Sequence, residues 1–203
     1  MMKNSITLIT LLASIFISNA QDITKNGTPN EKKYGFSLGY FGYRFNNVGF
    51  QIGVENYLAS TNNYVVLGGV NILYYNQKDI QSAVAMNARI GQRYTAGFGL
   101  FLESYLGIGL QQTLYVNKTF DYNSGQSTIS ETKMSKTGII PNISLGLGYD
   151  FSKKTKIPLK FYLRPSIYWL YPDRNLVFQS SYAIETGLIY VPTFKKKQKK
   201  GSS

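Results

Sequence analysis

The sequence predicts an all-β chain that closes into an eight-stranded antiparallel up-and-down barrel, and three observations carry that expectation. Between Tyr34 and Tyr190, apolar residues alternate with small or polar ones at period two, the spacing of a strand whose two faces meet different surroundings. Clusters of turn-forming residues divide that stretch into eight segments. None of these segments has helical periodicity.

The first twenty residues read as a secretory signal peptide (1–20). Lys3 supplies a positive start, Ile6 to Ile17 an apolar run, and Ser18-Asn19-Ala20 a small-residue cleavage motif ahead of Gln21. The run is about a dozen residues long, short of the ~20 a spanning helix needs, so removal is expected rather than retention as an anchor. Residues 21–33 are polar, contain Pro29 and lack periodicity, and so form a flexible leader. The barrel is expected over 34–190, followed by a basic disordered tail at 191–203.

The first strand segment, 34–45, sets Phe36, Leu38 and Tyr40 against Ser37, Gly39 and Tyr43. In the second, Val48, Phe50, Ile52, Val54 and Leu58 oppose Gly49, Gln51, Gly53, Glu55 and Tyr57. The third, 64–75, is apolar on both faces, although Val66, Val70 and Ile72 still oppose Gly69 and Asn71. Val84, Met86, Ala88 and Ile90 oppose Ala85, Asn87, Arg89 and Gly91 in the fourth. The fifth is the longest, with Phe98, Leu100, Leu102, Leu106, Ile108 and Leu110 against Gly99, Glu103, Tyr105, Gly107, Gly109 and Gln111. The sixth places Ile139, Ile143, Leu145 and Leu147 opposite Asn142, Ser144, Gly146, Gly148 and Asp150. In the seventh, Leu159, Phe161, Leu163, Ile167 and Trp169 oppose Lys160, Tyr162, Arg164, Ser166 and Tyr168. The eighth, 176–190, sets Tyr182, Ile184 and Leu188 against Ala183, Glu185 and Gly187.

Six connections are short and rich in Asn, Thr, Asp, Gly, Lys or Pro, while residues 117–136 form a polar loop of about twenty residues. Pro141 and Pro165 fall inside expected strands, where proline removes a ladder donor. Pro141 is expected near a rim; at Pro165 a bulge or a broken ladder is expected.

Alternation alone fits two barrels, a soluble one with its apolar face inside and a membrane one with that face outside. Volume decides between them. The apolar parity holds on the order of forty large side chains, and an eight-stranded barrel has room inside for far fewer. The other parity carries most of the 19 glycines and would make a poor solvent face. It makes a good lumen, in which Phe41, Tyr57, Phe101, Tyr105, Tyr162 and Tyr168 pack across the space the glycines leave. Charged residues make up only 16%, low for a chain facing water on all sides. The apolar face therefore points to lipid, and the barrel is transmembrane, with Tyr34, Phe45, Tyr64, Tyr94, Phe98, Tyr149, Phe151, Trp169, Tyr171 and Tyr190 as interfacial girdles.

The lumen parity also holds both signs of charge. Glu55, Glu103 and Glu185 share it with Arg89, Arg93, Lys160 and Arg164, so an internal ion-pair network that stiffens the barrel and occludes its lumen is expected. An even strand number returns both termini to one side, which the signal peptide makes periplasmic, and puts loop 117–136 outside.

In these features, and in segments such as SLGLGYDF (144–151) and ESYLGIGL (103–110), residues 34–190 resemble the small OmpA/OmpX-like outer-membrane barrels, especially the Bacteroidetes-type "outer membrane protein beta-barrel domain" group. The resemblance implies a Gram-negative outer-membrane location, contact with outer-membrane lipid and lipopolysaccharide, and delivery by the barrel-insertion machinery. Such families commonly end on an aromatic residue, whereas here Phe194 is followed by a lysine-rich tail.

The chain contains no His and no Cys, which removes the usual groups for proton transfer near neutral pH and the ligands for zinc, haem or iron–sulfur centres. No catalytic residue, metal site or cofactor is expected, and the chain is read as a non-enzyme. Of the net charge of +12, five lysines lie in the tail, and an exported chain is not expected to bind nucleic acid. The leading reading is a structural or surface-interaction protein whose loop 117–136 meets an extracellular ligand. The alternatives are a component of an outer-membrane transport or secretion assembly, or a narrow pore.

Overall fold

A computed structural model describes residues 34–44, 47–116, 119–123, 128–132, 135–155, 157–171 and 179–192. The expected signal peptide (1–20), the leader (21–33), Phe45, the turn at 172–175 and the lysine run of the tail lie outside the described residues.

The strands are β1 (Tyr34–Tyr43), β2 (Asn47–Ser60), β3 (Tyr64–Gln77), β4 (Gln81–Thr95) and β5 (Leu100–Tyr115), then a hairpin of β6 (Thr119–Asn123) and β7 (Thr128–Thr132). They continue as β8 (Ser135–Ile139), β9 (Asn142–Asp150), β10 (Leu159–Leu170) and β11 (Gln179–Tyr190). β8 and β9 are one stave. Both pair with β5 in a single register, Leu110 opposite Ile139 and Leu106 opposite Ile143. Each stave is antiparallel to its neighbours, β4 pairs with β5, and β1 pairs with β11. The sheet is a closed eight-stranded up-and-down barrel.

The register fixes its girth. From Tyr190 the cross-strand partners run through Phe36, Val54, Val70 and Ala88 to Ile108, then by Pro141 and Trp169 back to β11 at Ser180, ten residues along. Eight strands with a stagger of about ten tilt by roughly 40° and enclose an interior that side chains fill.

Each strand alternates as its sequence does. Along β5, Phe101 and Tyr105 are 1% exposed while Leu102 is 60% and Leu110 61% exposed. The exterior is therefore a largely apolar wall, and the interior holds the polar parity together with aromatics such as Phe41, Phe101 and Tyr105.

Three details differ from the expectation. The 117–136 segment is not all loop: β6 pairs with β7 within it, and Ser135 and Lys136 begin β8. Val191, expected in the tail, donates its N–H to the Pro158 carbonyl and packs against buried Tyr57 and Ile189 clusters. A register shift lies in β2 between Tyr57 and Ala59. At Pro165 the expected irregularity is a broken ladder and not a bulge. The β9–β10 ladder stops on either side of it, between Leu163/Leu147 and Ser166/Ser144, and resumes in the same register. Pro141 sits at the β8–β9 junction, where its carbonyl still accepts from Trp169 N–H at 3.0 Å.

Candidate functional site

The interior is the chemically richest part of the molecule, and strand alternation builds it. Glu55 of β2, Arg89 and Arg93 of β4, Glu103 and Tyr105 of β5, Arg164 of β10 and Glu185 of β11 all project inward and are all buried. Small residues stand beside them on the neighbouring strands, Gly146 opposite Glu103 and Gly91 opposite Tyr105. A Cβ at Gly146 would meet Glu103 Cγ at 2.9 Å, and one at Gly91 would meet the Tyr105 ring at 2.3 Å. The glycines of the lumen parity leave the space that the large side chains occupy.

The three glutamates and three arginines form a connected lattice. Arg164 Nη2 lies 2.6 Å from Glu103 Oε1, and its Nη1 lies 3.1 Å from Glu185 Oε2. Arg93 shares Glu103 and adds Glu55, with Nη2 2.7 Å from Glu103 Oε2 and 3.1 Å from Glu55 Oε2. Arg89 joins Glu55 at 3.3 Å to Glu185 at 3.7 Å. The lattice is neutral overall and sealed from water, which is the condition under which buried charge is tolerated.

Neutral groups extend it. Glu185 Oε1 accepts from Ser166 and from Tyr168, each at 2.7 Å, and its Oε2 accepts from Gln51 at 3.1 Å. The Tyr105 hydroxyl donates to Glu55 at 3.1 Å. Its ring is flanked by two guanidinium groups, Arg89 at 4.7 Å and Arg164 at 4.6 Å from its centroid, with Arg164 also 4.5 Å from Tyr162. Arg93 lies over Phe101.

Above this, toward the β5–β8 connection, charges give way to amides and then to rings. Asn142 donates to Asn87 at 2.9 Å and Asn71 to Gln51 at 3.2 Å. Beyond them Tyr43 stacks on Tyr75 at 4.2 Å, and Phe41 meets Tyr168 edge-on.

Of the residues singled out in the sequence, six charges come together and the seventh does not. Lys160 pairs with Asp150 at 2.9 Å, apart from the lattice and near the end where the termini lie. Phe41, Tyr57, Phe101, Tyr105, Tyr162 and Tyr168 are all buried inside. Sequence reasoning passed over Asp150 as a partner and Gln51, Ser166 and Ser144 as part of the hydrogen-bonded interior. Their inward parity was readable; that they lie at the same height as the charges depends on the barrel's stagger.

Among the described residues no three His, Cys, Asp or Glu side chains gather where they could hold a metal ion. With every lattice carboxylate engaged by guanidinium, the arrangement holds charge in place and leaves no free acid–base pair among these groups.

No protein-family model and no curated sequence matches the chain. Solved structures do. Neisserial surface protein A is similar over 79% of this chain and 97% of its own, at 9% identity and a TM-score of 0.51. That likeness shows the fold. Ail, the attachment invasion locus protein of Yersinia pestis, covers 79% of this chain and 100% of its own at 13% identity and a TM-score of 0.46. The N-terminal β-barrel domain of Pseudomonas aeruginosa OprF covers 82% and 99% at 17% identity and a TM-score of 0.44. The Bacteroidetes-type resemblance rests on the sequence features alone.

Proposed function

We propose that this chain is a non-enzymatic outer-membrane barrel with a structural or surface-interaction role, exported by its signal peptide, its lumen plugged by the Arg–Glu lattice. The carrying observation is the inversion of polarity: exposed leucines on the outer wall, Leu38, Leu102 and Leu110 most of all, with arginines and glutamates buried within. Such a wall dissolves in lipid and not in water, and closure satisfies the backbone groups that lipid leaves without partners. The β5–β8 connection, with its β6–β7 hairpin, lies at the end opposite the termini. With the termini in the periplasm it is the longest element presented outside, where it would meet lipopolysaccharide or an extracellular ligand. A lattice spanning β2, β4, β5, β10 and β11 ties opposite walls together and blocks a continuous water path.

The test has two steps. Outer-membrane fractions run on detergent gels without boiling should show a faster-migrating form that boiling abolishes. The purified barrel should then give no steady conductance in planar bilayers. Recovery from the soluble periplasmic fraction without a heat shift overturns the membrane reading. Steady single-channel steps overturn the plug in favour of a narrow pore.

A further inference from the structure

The apolar outer wall has a polar interruption on β3, β4 and β5. Tyr64, Gln92 and Ser104 form a hydrogen-bonded chain there: the Tyr64 hydroxyl donates to Gln92 Oε1, and Gln92 Nε2 donates to Ser104 Oγ at 3.3 Å. Beside it lies an open groove of about 380 Å³, whose walls include Tyr94, Leu102 and Leu145 along with the three polar residues. Leu102, Leu145 and Tyr94 are all more than half exposed, so the groove opens outward and not into the lumen.

The chain runs from Tyr64 through Gln92 to Ser104. Tyr64 uses Gln92 Oε1 as acceptor, so the Gln92 amide nitrogen points at Ser104. Ser104 accepts through Oγ and retains its own proton, and Gln92 retains a second amide hydrogen. The groove thus offers neutral donors in apolar surroundings, where an unmatched donor is costly. Its complement is a neutral acceptor carried on a hydrocarbon chain.

Depth narrows the choice. Tyr34, Tyr64, Tyr94 and Tyr190 form an aromatic row at the end of the barrel where the termini lie. Such rows sit at headgroup level. Gln92 shares the outer face of β4 with Tyr94, two residues and roughly 5 Å deeper along a tilted strand. That is the edge of the hydrocarbon core, where the glycerol esters of a bilayer lie.

We propose that this groove binds an ester-linked glycerophospholipid of the periplasmic leaflet. Ser104 and Gln92 donate to one ester carbonyl, and the acyl chain lies along Leu102 and Leu145. The site rests on the reading of the chain as an outer-membrane barrel.

The test starts from heat-modifiable protein in nanodiscs, released into mild detergent and weighed by native mass spectrometry. Wild type should retain one phospholipid. The double variant Gln92→Leu/Ser104→Ala should keep the heat shift and retain about ten-fold less, the weight of two hydrogen bonds to a neutral acceptor. Nanodiscs of a diether lipid with the same headgroup, which has no ester carbonyl, should reproduce that loss with the wild-type protein. Thr186→Val, a change at another outward polar residue, should retain lipid normally. Equal retention by wild type and double variant, or of diether and diester lipid, overturns the site while leaving the membrane reading intact. A two-chain species lost in the double variant overturns it in favour of a second copy in the groove. Wild-type protein with no heat shift at all fails the membrane reading and this site together.

Discussion

Glu103 accepts from two guanidinium groups at once, from Arg164 at 2.6 Å and from Arg93 Nε at 2.8 Å, with all three side chains buried. Replacing it by Gln keeps the shape and leaves two buried cations with one carboxylate fewer between them. Breaking a buried pair in this way costs about 3–5 kcal/mol. Urea titration of the refolded Glu103→Gln barrel should register that loss, and a wild-type midpoint would mean the lattice contributes nothing to stability. Space is as strictly assigned as charge. A methyl at Gly91 would lie 2.3 Å from the Tyr105 ring and 2.4 Å from the Ser104 carbonyl oxygen. The ring cannot turn away without releasing Glu55, so Gly91→Ala should lower the same midpoint by about 1–3 kcal/mol. These residues were half legible in the sequence. Parity assigns Glu103, Arg164 and Gly91 to the inner face, because a strand repeats every two residues. It is silent about height, so it grouped Lys160 with the glutamates when the stagger sets it beside Asp150.

Among elements, the eight staves were legible because one face of each is mostly apolar and the turns between them carry Asn, Gly, Lys or Pro. The β6–β7 hairpin was not. Phe120 and Tyr122 supply a single i, i+2 pair in a polar stretch, too short a signal to separate a strand from a loop. The β2 bulge had no sequence signature either, since Tyr57-Leu58-Ala59 keeps its alternation up to the point of the shift. Pro165 was legible as an irregularity but its form was not. Tyr171 and Ile139 exchange hydrogen bonds, so every second residue of β10 from there faces β9 through its backbone. Pro165 falls on that series opposite Leu145, where it has no N–H to donate. Pro165→Val should therefore close the gap in the ladder. With the outer wall in lipid, as proposed, the added bond outweighs the lost rigidity of proline by about 1 kcal/mol. A rise in the urea midpoint, with slow exchange of the amide that the substitution introduces, is the expected result. Fast exchange of that new amide would show that another group already satisfies the Leu145 carbonyl.

For the molecule as a whole, polarity is turned inside out, and this makes the effect of a charge depend on the parity of its position rather than on its exposure alone. Leu106 stands midway along β5 on the outer wall and is 49% exposed; its neighbour Tyr105 is 1% exposed within the arginine–glutamate lattice. In a water-soluble barrel, Leu106→Arg would place a cation in solvent and change stability by no more than a surface substitution, within about 0.5 kcal/mol. In a barrel set in lipid, the same change places the cation near the middle of the apolar band and costs about 2–4 kcal/mol. Leu106→Ala separates this from lost packing, because it removes side-chain area without adding charge. The two variants should be compared by reversible unfolding in phospholipid vesicles. Arg far below Ala at position 106 is the expected order. Near-equal values would remove the physical basis for placing this wall against lipid, whatever the fold of the chain.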